Sequence, residues 1–243
     1  MDALAVFVAA LVTALATGLG ALPLLFTRRA AVSWIGLASA LAAGLMVGAS
    51  VGLLYEGNRF GGWRTALGAV VGGAFIWLSR RVLEQREHVH LGSFRGADAR
   101  RALLVVGVMT VHSFTEGVGV GVAFGGTQAL GILITIAIAV HNIPEGLAIS
   151  LVLVPRGSTV RSAAGWSIFS SLPQPLMAVP AYLFVESFSG VLPLGLGFAA
   201  GAMLWLVGAE LVPDALETTR LRTVVLTATG AALAMLVFLL MLL

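Results

Sequence analysis

The chain has no cysteine and no lysine, and only 10% of its 243 residues are charged. The missing cysteine excludes disulfides and thiolate metal ligands, so any metal chemistry here uses nitrogen and oxygen donors. Soluble domains carry roughly 25% charged residues, so this composition excludes an ordinary water-soluble fold. What fills the space instead is hydrophobic sequence, at 59%. Uncharged stretches run over 3–27, 30–55, 162–185, 187–209 and 223–243. Each reaches the roughly 20 residues that a membrane-crossing helix needs.

Residues 65–79 form a shorter apolar run between Arg64 and Arg80, whose long side chains extend the effective span by reaching the headgroups. Two more stretches, about 102–124 and 129–153, contain histidine and glutamate but are otherwise apolar. Met1-Asp2 leads directly into an apolar run with no basic segment before it, so the N-terminus is read as a retained first helix. All 14 basic residues are arginine. Twelve of them (28, 29, 80, 81, 86, 95, 100, 101, 156, 161, 220 and 222) fall in alternate connections, against Arg59 and Arg64 in the others. This asymmetry puts the arginine-rich connections and the longest loop in the cytoplasm and both termini outside it. Arginines scattered over helix ends also argue against a nucleic-acid partner. The expected setting is the lipid bilayer of the cell membrane, crossed many times.

Ala42-Ala43-Gly44-Leu45-Met46 recurs as Ala199-Ala200-Gly201-Ala202-Met203 in a helix of opposite direction. Such a match suggests an inverted repeat, with spans 1–3 related to 6–8 and spans 4 and 5 left between them. Proline interrupts the pattern at Pro144 and at Pro173-Gln174-Pro175 and Pro180. Pro144 has no N–H to donate, which frees the carbonyl of Val140 beside His141.

The middle spans carry His112-Ser113-Phe114-Thr115-Glu116-Gly117 and His141-Asn142-Ile143-Pro144-Glu145-Gly146. A carboxylate at the bilayer centre costs roughly 2.5–3.5 kcal/mol, so two at matched depth need a cation or protons as partners. His and Glu four residues apart share one helical face, and two such helices present four ligands to a common point. Ser113 and Asn142, three residues before their glutamates, border the same face with neutral oxygens. A nitrogen-and-oxygen set without sulfur suits zinc, iron(II) or manganese. A packing role accounts for one buried histidine better than for a duplicated pair, and a metal-free proton relay uses the same residue types.

These motifs resemble those of the ZIP family of metal transporters, in its short bacterial branch. Thr17 to Pro23, Leu172 to Leu176 and Gly201 to Pro213 also resemble family patterns, so the resemblance covers essentially the whole chain. It implies one all-α integral membrane domain over 1–243, with eight transmembrane helices in a 3+2+3 inverted-repeat arrangement. Those helices are expected at about 3–27, 31–55, 63–80, 102–124, 129–153, 162–185, 189–213 and 221–243, with a cytoplasmic loop at 81–101. It further implies His112, Glu116 and Glu145 as central metal ligands, completed by His141 and Asn142, with Met46 near the metal path. Members with two metal ions carry Asn or Asp where this chain has Ser113, and Glu where it has Gln174. One well-formed site is therefore expected, with Ser113 and Gln174 at the place of the second.

The resemblance implies transport rather than catalysis. Divalent metal, zinc first and iron, manganese, cadmium or cobalt after it, would move towards the cytoplasm by alternating access, and no prosthetic group is implied. The rivals are an intramembrane metal-dependent hydrolase, for which the chain lacks a His-Glu-x-x-His pair, and a proton-coupled carrier of another substrate. His88 and His90 in the long loop are candidates for capturing exiting metal. Glu210 and Asp214 are candidates for an exit path, and Glu56 and Glu186 for an entrance. Small residues such as Gly117, Gly119 and Gly121 would let two copies dimerise or helices of one copy pack.

Overall fold

The computed structural model describes residues 2–26, 32–85 and 96–242, and every regular element among them is helical. Helix α1 spans Ala3–Leu19 and is followed by the short α2, Pro23–Phe26. Asp2 caps α1 by accepting from the amide of Ala5 at 2.8 Å. Helix α3 is Val32–Glu84, α4 is Gly96–Gly126 and α5 is Gln128–Leu153, capped by Thr127, which accepts from Leu130 at 3.1 Å. Span 6 is broken into α6 (Val160–Ser171) and α7 (Pro173–Ser187). Pro173 cannot continue the preceding hydrogen-bond ladder and takes the first position of α7, where no N–H is needed. Helix α8 (Leu192–Leu206) runs into a π-helical segment, Val207–Leu211, then α9 (Val212–Thr218) and α10 (Leu221–Leu242).

Among the described residues, seven continuous stretches are long and apolar enough to cross a membrane. The second, Trp34–Glu84, has 51 residues. At 1.5 Å per residue its contour is about 77 Å, more than twice the roughly 30 Å hydrocarbon core, and it consists of two helices that meet at a kink. Its backbone departs from helical geometry at Gly61 (φ 165, ψ 92), between the expected second and third spans. The connection around that residue is otherwise helical, which is why seven stretches appear where eight separate helices were expected. The expected 81–101 loop is shorter at both ends, since α3 reaches Glu84 and α4 begins at Gly96. His88 and His90 lie outside the described residues.

The helices pack in two groups. Helices α1, α4, α5, α6 and α7 form one, and α3 with α8, α9 and α10 forms the other. They meet where α3 lies against α5 and where α4 lies against α8. Within the groups, backbones touch directly. A methyl added to Gly44 would overlap the carbonyl of Ala228 in α10, and one on Gly201 would overlap that of Ala69 in α3. Gly44 and Gly201 are the matched glycines of the repeated pentapeptide, and their contacts are the ones an inverted repeat generates: span 2 on span 8, span 7 on span 3. In the same way α1 packs on α5 while α7 packs on α4.

Candidate metal centre

His112 and Glu116 come from α4, and His141 and Glu145 from α5. One ligand atom from each of the four lies within 4.8 Å of all the others. None of these side chains reaches solvent. The Nε2 of His141 is 2.5 Å from Oε1 of Glu116, and Nε2 of His112 is 3.4 Å from the same oxygen. Behind the cluster, Gly146 lets α1 lie directly on α5, because a side chain there would collide with the Thr17 carbonyl of α1. Helix α5 runs unbroken through Pro144, so His141 and Glu145 keep their one-turn spacing.

Most donor atoms of the cluster have no protein partner. Both oxygens of Glu145, both ring nitrogens of His112 by hydrogen-bond geometry, and Nδ1 of His141 are buried without a hydrogen bond. Burying a polar group unpaired costs about 1–3 kcal/mol, and an ionised one more, so the arrangement calls for an ion to gather these atoms. A four-coordinate zinc with bonds of about 2.0–2.2 Å holds its donors roughly 3.3–3.6 Å apart. A cluster already within 4.8 Å reaches that by small side-chain rotations. Two imidazoles and two carboxylates are a donor set for a borderline divalent transition metal.

Gln174 stands in the first turn of α7, fully buried. Its Nε2 donates to Oε2 of Glu116 at 2.5 Å, while its Oε1 accepts from the Thr13 hydroxyl at 2.5 Å and from Nδ2 of Asn142 at 3.3 Å. Asn142 Nδ2 also donates to the Thr13 carbonyl at 2.9 Å. Gln174 thus ties α1, α4, α5 and α7 together and holds one oxygen of Glu116, leaving the other towards the histidines. Asn142 Oδ1 and the Ser113 hydroxyl are buried beside these residues without partners. Met46 is fully buried among Ala42, Ala43, Met109, Ile149 and Leu206, an apolar cluster. Thr13 was not among the residues singled out from sequence. Thr13 and Thr17 lie one turn apart on α1 and are both buried; Thr17 bonds Ser171 at 2.8 Å.

A cavity of about 430 Å³ opens at the arginine-rich end. Arg80, Glu84, Glu210 and Asp214 line its mouth, and Met109, Ala148 and Ile149 line its inner end. Met109 precedes His112 by three residues and Ile149 follows Glu145 by four, so the cavity ends about one helical turn, roughly 5 Å, from the cluster. Arg80 donates from Nε to Glu84 at 2.7 Å, lies 3.0 Å from Glu210 and bonds the Ala209 carbonyl at 3.1 Å. At the opposite end, Glu56 pairs with Arg59 at 3.2 Å beside a cavity of about 350 Å³ whose innermost α5 residue is Leu133. Leu133 is eight residues, about 12 Å along the helix, from His141. Glu186 accepts from Tyr182 at 3.0 Å.

Residues 80–240 match the model of the ZIP zinc transporter family. The chain belongs to that family. It is 36% identical over 224 residues to the zinc transporter GufA of Myxococcus xanthus, covering 85% of this chain and 87% of that protein. It is 28% identical over 181 residues to the zinc transporter ZupT of Corynebacterium glutamicum, covering 70% and 69%. A protein of Arabidopsis thaliana provisionally designated a zinc transporter is 50% identical over 210 residues, 85% of this chain. This ZIP chain spans about a third of that protein's length, 34%. Family membership makes the chain a multi-pass membrane transporter of divalent metal rather than an enzyme, and the hydrolase alternative drops out.

Proposed function

We propose that this ZIP chain carries zinc towards the cytoplasm, binding it between His112, Glu116, His141 and Glu145 and delivering it by alternating access. The observation that carries the reading is the placement of all four side chains on α4 and α5, inside one of the two helix groups. A site wholly within one group moves as a unit when that group shifts against the other. The arginine asymmetry supports a cytoplasmic placement for the large cavity, with both termini outside and eight crossings of the cell membrane. The structure then corresponds to the state that faces the cytoplasm, since one turn of Met109, Ala148 and Ile149 separates centre from cavity there and about 12 Å of apolar packing separates them on the other side. Ser113 and Asn142 would add neutral oxygens to the ion. Gln174 acts on it through Glu116. Glu210 and Asp214 border the route out, and Glu56 the route in. Iron, manganese, cadmium and cobalt share the donor preferences and are the competitors to test.

The test is zinc uptake into sealed proteoliposomes, followed by a reporter inside. Glu145→Ala and His112→Ala should each abolish uptake in protein that still folds, and competing cadmium should slow it in the parent. A parent protein that moves none of these ions would overturn the proposal.

A further inference from the structure

Away from the metal path, at the end of the bundle opposite the arginine-rich cavity, two cavities adjoin. The first, about 570 Å³, is lined by Trp63, Arg64 and the turn 187–190 between α7 and α8. The second, about 410 Å³, is a slot between α3 and α8 on one side and α4 and α7 on the other, with Val71, Val122, Pro180 and Phe198 among its walls. Val191 and Leu194 line both, so the slot lies directly beneath the mouth. Every residue lining the slot is apolar or glycine. From Arg64 to Val71 is seven residues, about 10 Å, and from Ser187 to Met177 ten residues, about 15 Å. The slot therefore descends to about the middle of a roughly 30 Å hydrocarbon core. Water entering it would find no hydrogen-bond partner.

The mouth has the opposite character. Arg64 is exposed, rests 5.4 Å from the Trp63 ring and gives one N–H to the Gly190 carbonyl at 3.0 Å. Arg59 and Arg80 each meet a carboxylate, whereas Arg64 meets none among the described residues. A guanidinium has five N–H donors in a fork that fits phosphate, so four remain for a ligand. Tryptophan at this height is at home in the headgroup layer.

We propose that these cavities together are a binding site for one bilayer phospholipid, its phosphate on Arg64 and one acyl chain in the slot. The slot's two walls belong to different helix groups. The chain of a bound lipid therefore lies in the seam along which the groups would shift.

Native mass spectrometry of the full chain, purified from phosphatidylglycerol vesicles, tests this. The parent should retain one phosphatidylglycerol. Arg64→Gln should lower its occupancy about tenfold, the loss of a charge-assisted hydrogen-bonded contact. Val71→Trp fills the slot from a residue that is 47% exposed, and should lower occupancy similarly. Zinc binding at the centre, unchanged in both variants, reports that they are folded. Equal retention in all three proteins would overturn the site. So would loss in Arg64→Gln with full retention in Val71→Trp, which would leave a headgroup contact without a chain. Retention of inorganic phosphate by the parent at the occupancy seen for lipid, lost in Arg64→Gln, would make it a soluble-anion site and overturn the proposal as well.

Discussion

Replacing Gln174 by leucine keeps the side-chain size and removes both halves of its hydrogen-bonding role. Thr13 retains the Ala10 carbonyl at 2.7 Å as an alternative acceptor, and Asn142 retains the Thr13 carbonyl at 2.9 Å. The atom left without a partner is Oε2 of Glu116, which loses its 2.5 Å donor. An unpaired buried acceptor costs about 1–3 kcal/mol in stability, with the upper part of the range applying to a charged one. The larger effect falls on the ion. Residues that orient a metal ligand typically contribute 10–100-fold in affinity, about 1.4–2.8 kcal/mol, and Gln174 is the donor that orients Glu116 here. Gln174→Leu should therefore weaken zinc binding by about 10–100-fold, measured by calorimetry or competition against a chelator in detergent. Zinc K-edge absorption should show a longer second oxygen distance as the freed carboxylate turns to hold the ion with both oxygens. Affinity within twofold of the parent and an unchanged edge spectrum would refute the reasoning, because Glu116 would then be positioned without Gln174.

Three further outcomes follow from the same geometry. Glu145→Leu removes a buried carboxylate with two unpartnered oxygens, so metal-free protein should gain about 1–3 kcal/mol of stability, while the rise in Tm on adding zinc disappears. Lower stability of the metal-free variant would contradict this. Gly146→Ala pushes a methyl into the Thr17 carbonyl and must separate α1 from α5, so expression of folded, monodisperse protein should fall sharply; normal yield with parental Tm would count against the contact. Arg80→Gln breaks pairs that are about a third exposed, with Arg80 at 32%, so the loss should be modest, about 0.5–1 kcal/mol in Tm-derived stability, and a collapse of the fold would show that the pairs matter more than their exposure allows.

Sequence alone carries the centre because its residues are out of place there. Histidine and glutamate at one-turn spacing in two apolar runs stand out against their surroundings, and helical periodicity already sets His112 beside Glu116 and His141 beside Glu145. Gln174 is different. Its partner is fixed by the break at Leu172–Pro173, which turns the start of α7 against α4, and no local pattern says which carboxylate the amide will meet. Thr13 is hidden for another reason: threonine is ordinary in an apolar helix, and its bond to the Ala10 carbonyl is self-contained until α5 and α7 pack beside it. The π-helical turn at Val207–Leu211 leaves no mark in a hydrophobic run, because one extra residue in a turn does not change composition. Counting charge-free runs finds the lipid-crossing mass of the chain but does not show that spans 2 and 3 are joined by a kink at Gly61 with almost no loop between them.

The pairing of two carboxylates with one divalent ion also has an electrical meaning. Glu116 and Glu145 carry two negative charges when ionised, so in the proposed cycle the loaded helix group would be neutral at its centre and would cross the membrane potential without doing electrical work. The unloaded group must settle the difference on its way back. Each carboxylate that returns ionised is driven outward by a negative interior, by up to about 2.3 kcal/mol per 100 mV. Each that returns protonated carries one proton out for the metal that came in. In that proposed cycle voltage and pH gradient would become interchangeable forces on one step, the empty return, and the step that carries the metal would be insensitive to both.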